Sequence, residues 1–262
     1  MEQNFITVDD YHVRYIEDGF HNKKHILCLH GLGASAGRWA KALPILAKKY
    51  HIVAPDIVGF GYSDKPDVYY TIDFFVNFVN EFARTLKMES LTLIGASLGG
   101  HIAIETALTH DNMIDKLVLI SPAGIMKEPT IALNHYIAAA MYPTFENAKK
   151  AFQEMTGSET VDEIYTKDFV NRMQLPNAKY AFMSAVMGSK AAPALEDRLP
   201  KIETPTLIVW GKKDGLIPHK FAEQFHAGIK QSKFAIMEDC GHTPYFEKPD
   251  KFCKIVLEFL RN

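Results

Sequence analysis

Cysteine is scarce in this sequence, and its placement builds nothing. There are three, Cys28, Cys240 and Cys253, an odd number with no CxxC spacing. That argues against a disulfide framework and against a zinc site, and a reducing, cytoplasmic setting is the expectation. Long apolar runs are also missing. The longest, such as "TLIVW" and "KLVLI", fall far short of the ~20 residues that cross a bilayer, so no membrane partner is expected. The opening "MEQNFITVDD" lacks a positive segment followed by an apolar run and does not read as a secretory signal. Nor is there an excess of one charge. The net charge is -2 with both signs interspersed, which leaves no basic stripe for nucleic acid and no like-charge tail.

What is present is an ordinary globular composition, 47% hydrophobic and 23% charged over 262 residues, enough for one large α/β domain. Apolar branched runs recur at 25–31, 51–57, 91–97, 116–122, 204–214 and 232–242. They are nearly continuous in apolar residues rather than alternating, as expected of strands covered on both faces. Helical patterns lie at 36–49, 72–87, 98–110 and 219–229, and "PDKFCKIVLEFLRN" closes the chain. Two strands joined by an Asp9–Asp10 turn begin it. The sum is an α/β fold with a doubly wound, mostly parallel sheet of eight strands. Residues 123–200 break the alternation and read as three or four helices inserted after the sixth strand. Thr160 with Glu163 suggests a capping box there, and Gly157 and Gly188 suggest helix stops. The expected division is a core of 1–122 with 201–262, and a helical cap of 123–200.

"GASLGG" places Ser97 in a G-x-S-x-G pattern between a strand and a helix. A sharp turn there exposes the hydroxyl, and the following helix directs N–H groups at any oxyanion formed. An ordinary hydroxyl is a weak nucleophile and needs a base. Of eleven histidines, His242 follows a strand and a glycine in "MEDCGHTPYFEKP", on the sheet edge where ligands bind. Asp214 ends "TLIVWGKKD" on the same edge and would orient it. Glu238 and Asp239 are nearer in sequence, but Glu238 falls in the strand run and neither shares that loop-tip position. The order Ser97, Asp214, His242 is that of the α/β-hydrolases.

With these residues in place, the chain resembles the α/β-hydrolase family, in the branch with a cap after the sixth strand. Further stretches carry the likeness: "HGLGAS" (30–35), "PDIVGFGYSDKP" (55–66), "LPKIETPTLIVWGKKDGLIP" (199–218) and "GHTPYFEKPDKF" (241–252). The resemblance implies an oxyanion hole made by the backbone N–H groups of Leu32 and Leu98, with His30 a structural support for its loop. It implies no cofactor and no metal. It also implies a cap that roofs the acyl pocket, for which Met126, Tyr136, Met141, Phe145 and Phe182 are the candidate wall. A serine nucleophile sets the chain apart from dehalogenases and epoxide hydrolases, which use aspartate. The expected activity is hydrolysis of a small-molecule carboxylic ester with a small to medium acyl group, by a monomer or homodimer. A lactonase and a carbon–carbon bond hydrolase of vinylogous diketones are alternatives. The latter commonly carry Asn before the serine and Trp after the histidine, where this chain has Ala96 and Thr243. A small-molecule receptor on the same fold is the non-enzyme alternative. Cys240, two residues before His242, reads as a buried structural thiol.

Overall fold

A computed structural model describes residues 1–261, the side chain of Asp111 excepted. The first two strands, β1 (Glu2–Val8) and β2 (Tyr11–Asp18), form a hairpin whose two-residue turn holds Asp9 at φ 51°. The remaining strands are β3 (His25–Leu29), β4 (His51–Pro55), β5 (Leu91–Ala96), β6 (Ile114–Ile120), β7 (Thr206–Gly211) and β8 (Ser232–Met237). All eight make one sheet in the order β1-β2-β4-β3-β5-β6-β7-β8. β2 pairs antiparallel with β1 and β4, and every other pair is parallel.

Ten helices accompany the strands among the described residues: α1 (Leu43–Leu46), α2 (Ile72–Thr85), α3 (Leu98–Thr109), α4 (Ile131–Met141), α5 (Phe145–Thr156), α6 (Glu163–Met173), α7 (Ala178–Ala191), α8 (Phe221–Gly228), α9 (Pro244–Glu247) and α10 (Pro249–Arg261). Pleating sends alternate strand residues to opposite faces. Leu27, Leu29, Leu93, Leu117 and Leu119 therefore pack with α2, α3 and α8. Ile26, Cys28, Ile94, Val118 and Ile120 pack with α1, α9 and α10. With both faces covered, the continuous apolar runs of the sequence follow directly. α10 shows its apolar stripe as Phe252, Cys253, Val256, Phe259 and Leu260, the spacing of one helix face.

α4 to α7 lie between β6 and β7. Their apolar residues, Ala139, Phe152, Phe169 and Phe182 among them, continue the cluster on the α2–α3 face rather than forming a separate core. Three expectations are corrected in detail. The helix expected over 36–49 is instead a 3-10 turn at Ala36–Trp39 followed by α1, because Pro44 has no N–H and cannot continue a helix through Ala40. α6 is capped by Asp162, whose carboxylate accepts the Tyr165 N–H at 3.1 Å, and not by Thr160. Gly157 does end α5 in a left-handed conformation, but Gly188 sits inside α7. A Cβ at Gly188 would overlap the backbone of Tyr70 and Thr71, so close helix–loop approach explains that glycine.

Candidate active site

β5 ends at Ala96 and α3 begins at Leu98, which leaves Ser97 alone to make the turn. It does so at φ 55°, ψ -117°, outside the regions an L-residue ordinarily adopts. The strain is held by hydrogen bonds on both sides. Ser97 N–H donates to Ile120 O at 2.9 Å, and Ser97 O accepts from Gly100, His101 and Ala123. Glycine is required around it. A Cβ on Gly95 would overlap the Gly99 carbonyl, and a Cβ on Gly99 would overlap the carbonyls of Leu29 and His30. Close contact of β5, α3 and the loop after β3 is thus built from missing side chains. Ser97 remains half-buried, and its Oγ has no hydrogen-bond partner among the described residues.

Asp214 and His242 follow β7 and β8, at the same carboxyl edge of the sheet. His242 Nδ1 lies 2.7 Å from Asp214 Oδ2, with both residues buried. The other carboxylate oxygen, Oδ1, accepts the Leu216 and Ile217 N–H groups at 2.9 Å each. The aspartate is therefore oriented from both ends, and a carboxylate accepting at Nδ1 leaves Nε2 as the unprotonated ring nitrogen. The rival carboxylates point elsewhere. Glu238 lies just beyond β8 and pairs with Lys212, and Asp239 pairs with Lys251 at 2.9 Å. Cys240 is fully buried, and burial pushes its thiol up to about 12, so it is no thiolate near neutrality.

The loop after β3 carries Leu32. Among the described residues, neither Leu32 N–H nor Leu98 N–H donates to a protein acceptor. Leu98 is the first residue of α3, where N–H groups precede the helix's own ladder. Gly31 packs against the Ser97 side chain, a Cβ there meeting Ser97 Cβ at 3.0 Å. His30 supports this loop. Its Nδ1 is 2.8 Å from Gly31 O, and its Nε2 accepts the Ile57 N–H at 3.0 Å. A carbonyl can only accept, so the partners require a neutral ring with the proton on Nδ1. Burial pushes its pKa down to about 4.

The loop is further held by residues for which the sequence raised no catalytic expectation. Asp56, fully buried, accepts from Ala36 N–H at 2.6 Å, from Tyr62 N–H at 2.7 Å and from Arg14 Nη1. Arg172, buried on α6, donates through Nη1 to Gly33 O at 2.8 Å and Ala34 O at 3.0 Å. Its Nε donates to Asp168, which also accepts from the Tyr62 hydroxyl. Tyr136 OH on α4 donates to Leu32 O at 2.7 Å. Met155, near the end of α5, accepts the His242 N–H at 3.1 Å through its carbonyl. Asp56 lies in the quoted "PDIVGFGYSDKP" and was visible there as a motif member. Arg172 and the Met155 carbonyl had no sequence signal at all.

The five candidate wall residues separate into groups. Tyr136 and Phe182 stand at the loop after β3, where a Cβ on Gly33 would meet the Phe182 ring at 2.7 Å. Met126 and Met141 are partly buried against the apolar cluster that holds both. Phe145 begins α5 with Lys167 Nζ 5.7 Å from its ring centre. Among the described residues there is no group of three or more His, Cys, Asp or Glu side chains placed to hold a metal ion. No helix among them is long and apolar enough to cross a membrane.

Known proteins resemble this chain over most of its length. The family model described as serine aminopeptidase, S33 matches residues 21–249. A 2-hydroxy-6-oxo-6-(2'-aminophenyl)hexa-2,4-dienoic acid hydrolase of Metapseudomonas resinovorans is 26% identical, over 98% of this chain and 90% of its own. Monoacylglycerol lipase abhd6-A of Xenopus laevis is 28% identical, over 99% and 82%. The crystal structure of a bacterial membrane phospholipase A superposes with a TM-score of 0.85 at 28% identity, covering 99% of this chain and 86% of that one. The chain belongs to the S33 family of α/β-hydrolases.

Proposed function

We propose that this protein hydrolyses carboxylic esters through Ser97, His242 and Asp214. The observation that carries the reading is the placement of a strained, half-buried Ser97 and a buried Asp214–His242 couple on one sheet edge. His242 Nε2 takes the Ser97 proton as Oγ attacks the acyl carbon, while Asp214 holds the ring and stabilises the imidazolium. The Leu32 and Leu98 N–H groups receive the oxyanion. One such donor is worth ~3 kcal/mol, about a hundredfold in rate. His242 then protonates the leaving alcohol. Water, activated by the same nitrogen, attacks the acyl-enzyme and releases the acid. No step calls on a metal or a cofactor.

In this reading residues 123–200 act as a cap, and Tyr136 and Phe182 form the acyl wall beside the oxyanion loop. A lipase and a phospholipase among the related proteins support an ester substrate. The second reading is carbon–carbon hydrolysis, favoured by the dienoic acid hydrolase that matches nearly the full chain. Ala96 and Thr243 weigh against it. Turnover of short-chain p-nitrophenyl esters and of a vinylogous diketone, by wild type and Ser97→Ala, tests the choice. Ester turnover lost in Ser97→Ala is the expected result. Diketone cleavage with no ester turnover selects the second reading, and ligand binding without any turnover selects a receptor.

A further inference from the structure

A cavity of about 510 Å³ opens between the 3-10 turn at Ala36–Trp39, the end of α5, the start of α6 and α9. Ser97, Leu32, Asp214 and His242 are not among its walls. Arg38 is. The residue is only 5% exposed, and among the described residues it has no carboxylate partner. Its guanidinium carbon lies 3.7 Å from the Tyr165 ring centre, 4.7 Å from Phe246 and 5.2 Å from Phe152.

Rings can cover only the faces of a guanidinium, since its N–H donors lie in the plane. One of those donors reaches the Met155 sulfur at 4.0 Å, a weak acceptor. No other acceptor serves the Arg38 guanidinium among the described residues. Arg38 is a wall residue of the cavity, so its uncommitted donors lie beside that space. A cation this buried is costly to hold without a counter-charge, and the rings offset only part of that cost.

Every acidic wall residue is already engaged. Asp162 lies close enough to Arg38 to feel its charge, but its oxygens take Lys41 at 3.2 Å and the Tyr165 N–H at 3.1 Å. Asp239 holds Lys251. Glu247 accepts from the Gly241 and Thr243 N–H groups and the Thr243 hydroxyl. Lys213 and Lys248, exposed on the rim, have no carboxylate partner among the described residues. The wall carries four cations, Arg38, Lys41, Lys213 and Lys248, against three carboxylates, Asp162, Asp239 and Glu247, and Phe152, Tyr165, Val161 and Phe246 give it an apolar side.

We propose that this cavity is a binding site, separate from the serine site, for a small organic anion: a carboxylate head on Arg38 with an apolar body along the aromatic wall. It does not depend on the proposed ester hydrolysis. The test is calorimetric titration of the whole protein with sodium benzoate, sodium hexanoate and sodium phosphate, against sodium chloride at equal ionic strength. Saturable one-to-one binding of benzoate or hexanoate is expected, tighter than phosphate and unchanged in Ser97→Ala. Arg38→Met should weaken it at least tenfold. The double variant Lys213→Gln with Lys248→Gln, changed only at exposed positions, should weaken it severalfold and covers the case in which Arg38→Met fails to fold. Absence of organic-anion binding overturns the proposal. So does binding unaltered in both cation variants, or binding abolished by Ser97→Ala. Phosphate binding as tightly as benzoate overturns the apolar half.

Discussion

The loops at the carboxyl edge of the sheet and the four helices between β6 and β7 support the same site in different ways. The sheet loops bring side chains: Ser97, Asp214 and His242 each follow a strand, so their placement is set within a few residues of sequence. The inserted helices act mainly on the backbone of those loops. Tyr136 holds the Leu32 carbonyl, Arg172 holds the Gly33 and Ala34 carbonyls, and the Met155 carbonyl holds the His242 N–H. Positions from 87 to 139 residues apart in the chain are joined this way. The candidate reactive groups thus lie in one layer, while their positioning is shared between the inserted helices and His30 and Asp56 on the sheet side.

The contrast is broken most strongly at the reactive layer. Asp214→Asn keeps the shape but loses the acceptor for the Nδ1 proton. Turnover of a p-nitrophenyl ester should fall by about 10⁴ in kcat, with circular dichroism unchanged. An active Asp214→Asn would move the acid role elsewhere. Next comes Arg172→Met, which takes the side-chain donor from Gly33 O and Ala34 O and leaves Asp168 with the Tyr62 hydroxyl alone. Unfolding in urea should show a loss of about 3 kcal/mol, and displacement of the oxyanion loop should lower kcat roughly 10- to 100-fold. A variant that is less stable but fully active would show that the clamp serves folding alone.

Much of the reactive layer was legible because its signals are local. A strand end, a glycine turn and a following helix identify Ser97. Asp-Gly at 214–215 and Gly-His at 241–242 mark the other loops. The inner strands were legible because burial on both faces demands continuous apolar runs, and the more exposed β1–β2 hairpin because of its Asp9–Asp10 turn. Finer features failed where a tertiary contact outweighs a local cue. Gly188 looked like a helix stop, yet its missing side chain serves the approach of Tyr70. Thr160 offered a capping pattern, yet Asp162 stood closer to the helix start and made the bond. Arg172 had no pattern to betray it, since its partners are carbonyl oxygens that any residue supplies.

A third expected effect distinguishes the layers by pH. His30 lies in the loop after β3 and His101 lies in α3, and burial pushes both from the ordinary 6.5 down to about 4. Arg198 also lowers His101. A depressed imidazole means that the unfolded chain binds protons more readily between pH 6.5 and 4. Their contribution is therefore whole above pH 6.5 and is lost as pH falls through this window. Between pH 7 and 5 each histidine should remove roughly 2 kcal/mol of stability. His101 Nε2 has no hydrogen bond, so His101→Leu should flatten the urea midpoint against pH. A midpoint equally steep in wild type and His101→Leu would refute this assignment. The smallest effect is expected of Tyr136→Phe, which removes one bond to Leu32 O. About 1 kcal/mol should be lost, as a Tm a few degrees lower, with kcat reduced more than KM is raised. A change in KM alone would make Tyr136 a wall residue only.

The covalent role of Ser97 is open to one direct measurement: intact-mass and peptide mass spectrometry after exposure to a fluorophosphonate. The expected result is one adduct per chain, on Ser97, formed far more slowly in Asp214→Asn and absent in Ser97→Ala. Ester turnover with no adduct, or an adduct on another residue, would contradict it.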